Sequence, residues 1–212
     1  LLALLTVGDY AHGFAEYEWR WKRTGTSARP RFRQPLWLGE FPPDRRTILL
    51  PAEQGLGDTI QFARYVPLLG QTGARVILEV QSELATLLSG ISGVASCHAR
   101  GGRTPAYDLY CPLGSLPLAL KTEPATIPAD IPYLRADDAR VAKWRPAVEA
   151  LPGKRVALAW AGHARHANDR NRSIALRDLD PLADANQVTF FSLQKGPAGG
   201  QSSDSTLRIK LV

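Results

Sequence analysis

Methionine is missing from all 212 residues, position 1 included, and cysteine occurs only twice. The first absence leads us to expect a fragment of a longer product. The second excludes a disulfide scaffold. Cys97 and Cys111 have no metal-ligand spacing, so they read as two free thiols in a reducing cytosol, with one bridge as the other option. Long hydrophobic runs are also absent. Leu1 to Val7 is far short of the roughly 20 residues a membrane-spanning helix needs and lacks the basic flank of a signal peptide. The expectation is a cytoplasmic chain with no membrane span. Neither sign of charge is scarce, with 26 basic against 20 acidic residues and a net charge of +6. Part of the excess lies in Arg20, Arg23, Arg29, Arg31 and Arg33, and part in Arg165, Arg170, Arg172 and Arg177. Such a balance suits anionic ligands without choosing among nucleotides, nucleic acid and anionic lipid. With 44% hydrophobic and 22% charged residues, the composition is that of a globular protein with a real core.

Residues 1–24 read as a helical hairpin, with Phe14, Tyr17 and Trp21 at spacings of three and four. The run Gly8-Asp9-Tyr10 followed by Gly13, Phe14 and Tyr17 resembles a tetratricopeptide unit. One unit alone cannot bury its face, so the hairpin docks either on the domain C-terminal to it or on repeats outside this chain. Residues 25–46, rich in Pro, Arg and Gly, read as an extended linker anchored by Phe32, Leu36 and Trp37. From Thr47 strands and helices alternate. Strands are expected at 47–52, 75–80, 94–98 and 107–111, and helices at 58–69, 82–88 and 115–120. This pattern predicts an α/β domain over 47–136, a doubly wound parallel sheet of the Rossmann-like kind. An amphipathic helix at 137–151 belongs to a linking segment, 137–153. A fresh strand at 155–160, a helix at 176–184 and a strand at 188–193 then begin a second, partial Rossmann-like domain over 154–212. Gly199 to Ser205 reads as a flexible polar spacer, and Leu207 to Val212 alternates like an edge strand.

The sharpest local feature is Glu53-Gln54-Gly55-Leu56-Gly57-Asp58-Thr59, where the first strand gives way to the first helix. Ligands of open parallel sheets bind at that end, and Gly55 and Gly57 allow close approach of another group. The run is neither a Walker loop nor a full dinucleotide fingerprint, because no Gly-Lys-Ser/Thr follows and no third glycine completes the spacing. Asp58 in the first helical turn either caps the helix or serves as a general base held ionised by the helix dipole. A second feature is Trp160-Ala161-Gly162-His163 with Asn168-Asp169-Arg170-Asn171-Arg172-Ser173. It is either a pyrophosphate clamp or a solvated basic loop. Lys195, after the last predicted strand, is another anion contact or a plain surface lysine. His163 and His166 are three apart, but no carboxylate or cysteine completes a metal site with them.

Together with Tyr17-Glu18-Trp19-Arg20-Trp21, Gln34-Pro35-Leu36-Trp37 and Ser192-Leu193-Gln194-Lys195-Gly196, these motifs resemble the bacterial tetratricopeptide-repeat glycosyltransferases. Those enzymes are similar to heptosyltransferases and more distantly to O-linked N-acetylglucosamine transferases. The resemblance implies the GT-B arrangement of two facing Rossmann-like domains, an acceptor side first and a nucleotide-sugar side second. It implies an inverting transfer from a nucleotide-sugar donor to a protein or glycan acceptor, with no further cofactor, no metal and no nucleic acid partner. Asp58 falls on the family's base. Arg172 and Lys195 fall where it contacts the donor phosphates, alongside Gly162, Arg170 and Ser173. After Pro197 the resemblance ends, which implies a chain that transfers no sugar as it stands. Two rival readings remain on sequence grounds: a non-catalytic interaction module using the hairpin as a protein contact, and a nicotinamide-dependent oxidoreductase, which the missing third glycine disfavours.

Overall fold

Thr47-Ile48-Leu49-Leu50-Pro51 carries no polar side chain after its first position, so a strand built from it must be covered on both faces. Ile48, Leu49 and Leu50 are all fully buried. The computed structural model describes residues 2–22, 32–164, 166 and 168–211. Expectations that fall on Leu1, on 23–31 with Arg23, Arg29 and Arg31, on Arg165 and on Val212 lie outside the described residues.

The chain divides into two units, Leu1–Asp137 and Asp138–Val212. In the first, α1 (Leu2–Thr6), α2 (Tyr10–Tyr17) and a 3-10 turn at Glu18–Lys22 come first. They precede β1 (Thr47–Pro51), α3 (Leu56–Ala63), α4 (Val66–Gln71), β2 (Arg75–Val80), α5 (Ser82–Leu88), β3 (Val94–Ala99), β4 (Leu109–Tyr110) and α6 (Leu116–Ala119). The strands form one parallel sheet in the order β3-β2-β1-β4. The chain thus runs outward from β1 to β3 and returns on the other side of β1 for β4. This is the doubly wound α/β order, with its switch point between the C-terminal ends of β1 and β4.

One face of the sheet, through Ile48, Leu50, Val76 and Leu78, packs with Ala63, Val66, Leu69, Leu84 and Leu88 of the helices. The opposite face, through Leu49, Ile77 and Tyr110, is covered by Phe32, Leu36 and Tyr107. The second half of the expected linker is therefore part of the fold. Leu36 bridges to Tyr110, the Trp37 N–H donates to the Tyr110 carbonyl (2.9 Å), and Trp37 is buried. The single helix expected at 58–69 is two helices. Pro67 has no N–H to continue the ladder, and α4 begins around it after a break at Arg64 and Tyr65. The hairpin docks within this unit, α2 against α6, and Phe14, Tyr17 and Trp21 are half-buried. A Cβ on Gly13 would lie 2.5 Å from Leu5 Cδ2, so the missing side chain is what lets α1 and α2 pack.

The second unit holds α7 (Asp138–Glu149), β5 (Lys154–Leu158), β6 (Val188–Ser192) and β7 (Ile209–Leu211), the three strands parallel in the order β5-β6-β7. Trp160, Leu176, Phe190 and Leu207 are its buried core. The helix expected at 137–151 forms but buries no residue, and Trp144 is exposed. The segment 176–184 is 3-10 rather than α-helical, with Pro181 inside it. The spacer expected at 199–205 is instead ordered by polar side chains, beginning with a 3-10 turn at Pro197–Ser203. Gln201 Oε1 accepts from the Leu176 N–H (2.8 Å), and Asp180 Oδ1 accepts from Ser205 Oγ (2.5 Å) and the Thr206 N–H (3.1 Å). Those bonds carry the chain to Leu207 and to the expected edge strand, β7. Ile174, Leu182 and Leu193 leave apolar surface exposed on this unit. Among the described residues, no helix is long and apolar enough to cross a membrane.

Candidate functional site

At the switch point β1 ends at Pro51 and α3 begins at Leu56, so the Glu53-to-Asp58 motif forms the turn between them. Asp58 is the third residue of α3, and its Oδ2 accepts from the Gly55 N–H (3.0 Å). The carboxylate thus caps the helix, and it also lines a small open surface depression with Ala52, Glu53, Gln54, Phe62 and Gly114. The two roles read from the sequence are compatible in this geometry. A Cβ on Gly55 would lie 3.2 Å from Asp58 Oδ2, so Gly55 gives the cap its room, whereas a Cβ on Gly57 would meet nothing within 4 Å. Gln81 braces the turn from β2's end. Its Nε2 donates to the Gln54 carbonyl (2.7 Å) and its Oε1 accepts from Thr59 Oγ1 (3.0 Å).

Sequence reasoning missed the densest part of the cleft wall. Arg20, from the 3-10 turn after α2, donates through Nη2 to Glu53 Oε1 (3.0 Å) and Ser115 Oγ (2.7 Å). Through Nη1 it donates to Glu18 Oε1 (2.6 Å) and the Tyr17 carbonyl (3.1 Å). Ser115 Oγ donates in turn to Glu18 Oε1 (2.6 Å), and the Gly114 N–H donates to Glu53 Oε1 (3.2 Å). Gln54 Nε2 donates to the Tyr17 hydroxyl. The side chains of Arg20, Glu18 and Glu53 are only 10%, 15% and 9% exposed. Burial pushes the Glu53 carboxyl above the usual carboxylate range, against the opposing pull of the Arg20 guanidinium. Arg20 also stacks over the rings of Tyr17 (4.5 Å) and Trp21 (4.6 Å). Arg20 stands 33 positions from Glu53 and 95 from Ser115, so no local pattern links them. The only signal was an aromatic-rich, charged segment ending the hairpin.

Gly114 shows how closely this wall is fitted. A Cβ there would lie 2.6 Å from Glu53 Oε1 and 3.4 Å from the Tyr17 ring. Gly114→Ala should therefore displace Glu53 and lower stability by about 1–3 kcal/mol, the usual cost of overpacking. Denaturant unfolding measures it, and an unchanged midpoint would show that the wall yields freely. Cys111, after β4, is fully buried and Cys97, on β3, is half-buried, and both are free. Burial pushes the Cys97 thiol up to about 11 and the Cys111 thiol well above its ordinary value, which disfavours the thiolate form of both.

In the second unit the loop after β5 folds on itself. The Gly162 N–H donates to Ser173 Oγ (2.8 Å), which donates to Asp169 Oδ1 (2.8 Å). A Cβ on Gly162 would lie 3.0 Å from Asp169 Oδ1 and 3.2 Å from Arg172 Nε. Gln194, after β6, ties the two strand ends together, its Oε1 accepting from the Trp160 (3.0 Å) and Ala161 (2.9 Å) N–H groups. Gly162, Arg172 and Ser173 are thus brought together, but the polar hydrogens of Gly162 and Ser173 are spent inside the loop. Arg170, Arg172 and Lys195 are the residues of the expected clamp that present charge to solvent.

No protein family's sequence model matches the chain. Protein FlbA of Caulobacter vibrioides is 29% identical over 217 aligned positions, covering 91% of this chain and 36% of FlbA. The chain therefore spans about a third of that relative's length. Among solved structures, the glycosyl transferase family 9 protein from Veillonella parvula superposes with a TM-score of 0.56 at 10% identity, over 81% of this chain and 70% of that one. The chain thus has the α/β, Rossmann-like fold of a glycosyl transferase family 9 structure.

Proposed function

We propose that this chain is the acceptor-side unit and the beginning of the donor-side unit of an inverting, nucleotide-sugar-dependent glycosyltransferase of the GT-B type. The observation that carries the reading is Asp58, a half-buried carboxylate on the first turn of α3, lining a cleft at the switch point of a parallel sheet. The fold likeness to a family 9 glycosyl transferase supports it. In this reading Asp58 takes the proton of an acceptor hydroxyl on a protein or glycan as its oxygen bonds to the anomeric carbon. The bond from that carbon to the diphosphate oxygen breaks with its electron pair. In the same reading Arg170, Arg172 and Lys195, all exposed on the second unit, are the cations that bind a nucleoside diphosphate.

Calorimetric titration of the 212-residue chain with UDP, GDP and ADP tests the donor side. Binding of at least one diphosphate is expected, weakening as salt rises. Arg172→Ala should weaken it by roughly tenfold or more, the scale of one charge-assisted hydrogen bond, while Asp58→Asn leaves it unchanged. Binding that Arg172→Ala does not alter, or no binding of any of the three, would overturn the donor assignment.

A further inference from the structure

Glu53 lines the same cleft as Asp58, yet it is held from two directions. Its Oε1 takes both the Arg20 Nη2–H (3.0 Å) and the Gly114 N–H (3.2 Å), so the hairpin and the turn before α6 together fix one carboxylate oxygen. The next residue, Gln54, is fixed the same way, its side chain by Tyr17 of the hairpin and its carbonyl by Gln81. Gly114 lacks the Cβ that would collide with Glu53 Oε1. Two segments distant in sequence from Glu53 thus converge to keep its carboxylate in one orientation in the cleft that Asp58 also lines.

On the glycosyltransferase reading, we propose that Glu53 is a second acceptor-binding residue of the cleft. With Oε1 held by Arg20 and Gly114, its Oε2 accepts a hydrogen bond from an acceptor hydroxyl and orients that molecule for Asp58. Arg20 is then a positioning residue that acts through Glu53, and the hairpin is part of the acceptor site. The energetics agree. A carboxyl raised by burial favours its protonated form in the fold, so ionised Glu53 costs stability at neutral pH, and that cost falls away as pH drops through its raised value. Groups that cost stability in this way concentrate at functional clefts. The titratable and charged groups facing Glu53 are Tyr17, Glu18 and Arg20 from the hairpin, Asp58 from α3, and Cys111 after β4. Tyr17 and Cys111 are themselves pushed up and stay neutral in the acid range.

Saturation-transfer NMR of the 212-residue chain with neutral p-nitrophenyl hexosides tests the proposal without needing turnover. The parent should bind, and Glu53→Gln should weaken binding by roughly tenfold with little change in melting temperature, because the amide oxygen still accepts from Gly114. Parent binding should also weaken as acidification protonates Glu53, and that pH dependence should be clearly smaller in Glu53→Gln. The double variant Arg20→Lys/Glu53→Gln should bind no worse than Glu53→Gln alone, since Arg20 acts through Glu53. Parent-like binding and pH dependence in Glu53→Gln would overturn the assignment. A parent that binds nucleoside diphosphates but no hexoside would overturn it too, while the donor side of the proposed function stands. Loss of both kinds of binding would sink the glycosyltransferase reading itself.

Discussion

Asp58→Asn is expected to lower sugar transfer by roughly 10²–10⁴-fold, the range one general base supplies, measured in a form of the protein with a complete donor-binding side. The substitution separates the cap that Asp58 makes in the structure from the base role proposed for it. Asn keeps a side-chain oxygen that can accept from the Gly55 N–H, so the turn into α3 survives. What is lost in stability is the interaction of a negative charge with the helix N-terminus, about 0.3–1 kcal/mol at a partly exposed position. The expected signature is a collapse in kcat with donor affinity unchanged and a melting transition shifted only slightly. Turnover within a few-fold of the parent would reduce Asp58 to the capping role that its bond to Gly55 already fills.

The sheet was legible because its signals are local. Ile48 to Leu50 and Val76 to Leu78 are unbroken apolar runs, and each has a helix or turn signal at its end, so strand positions and the doubly wound order followed from the chain alone. The motif around Gly55 was legible for the same reason. Its location at the end of β1 is a matter of where one period stops and another begins. Illegible features depend on tertiary partners. Gly199 to Ser205 is polar and reads as solvated spacer, yet Asp180 and Gln201 give the surrounding backbone its hydrogen bonds and hold it down. The helix at 137–151 was read from its spacing, but burial requires a surface to pack on, and none of its residues is buried. Arg20 and Glu53 each lie in a motif that the sequence singles out, but nothing in the sequence pairs the two. Only the docking of the hairpin against α6 brings them together, and burial makes each depend on the hydrogen bonds of the shared network.

That pairing sets the largest expected effect on stability, Arg20→Ala. The substitution leaves the Glu18 and Glu53 carboxylates in a wall where their side chains are 15% and 9% exposed, without the guanidinium that bonds both. Removing one partner of a buried ion pair costs about 3–5 kcal/mol, because the remaining charge has been stripped of water with nothing in return. Two carboxylates are stranded here, and the stacking over Tyr17 and Trp21 goes as well. Against the roughly 5–15 kcal/mol that holds an ordinary domain folded, the hairpin should release from α6. Denaturant unfolding should show the loss, and hydrogen exchange should show amides 10–22 opening ahead of β1 and β2. The charge origin of the effect has its own control. Arg20→Met/Glu53→Gln removes a stranded charge along with the guanidinium and keeps an apolar stem between the two rings, so it should recover part of what Arg20→Ala loses. A loss below about 1 kcal/mol in Arg20→Ala would place the network among solvated surface pairs, and the hairpin would then be held by α2 against α6 alone.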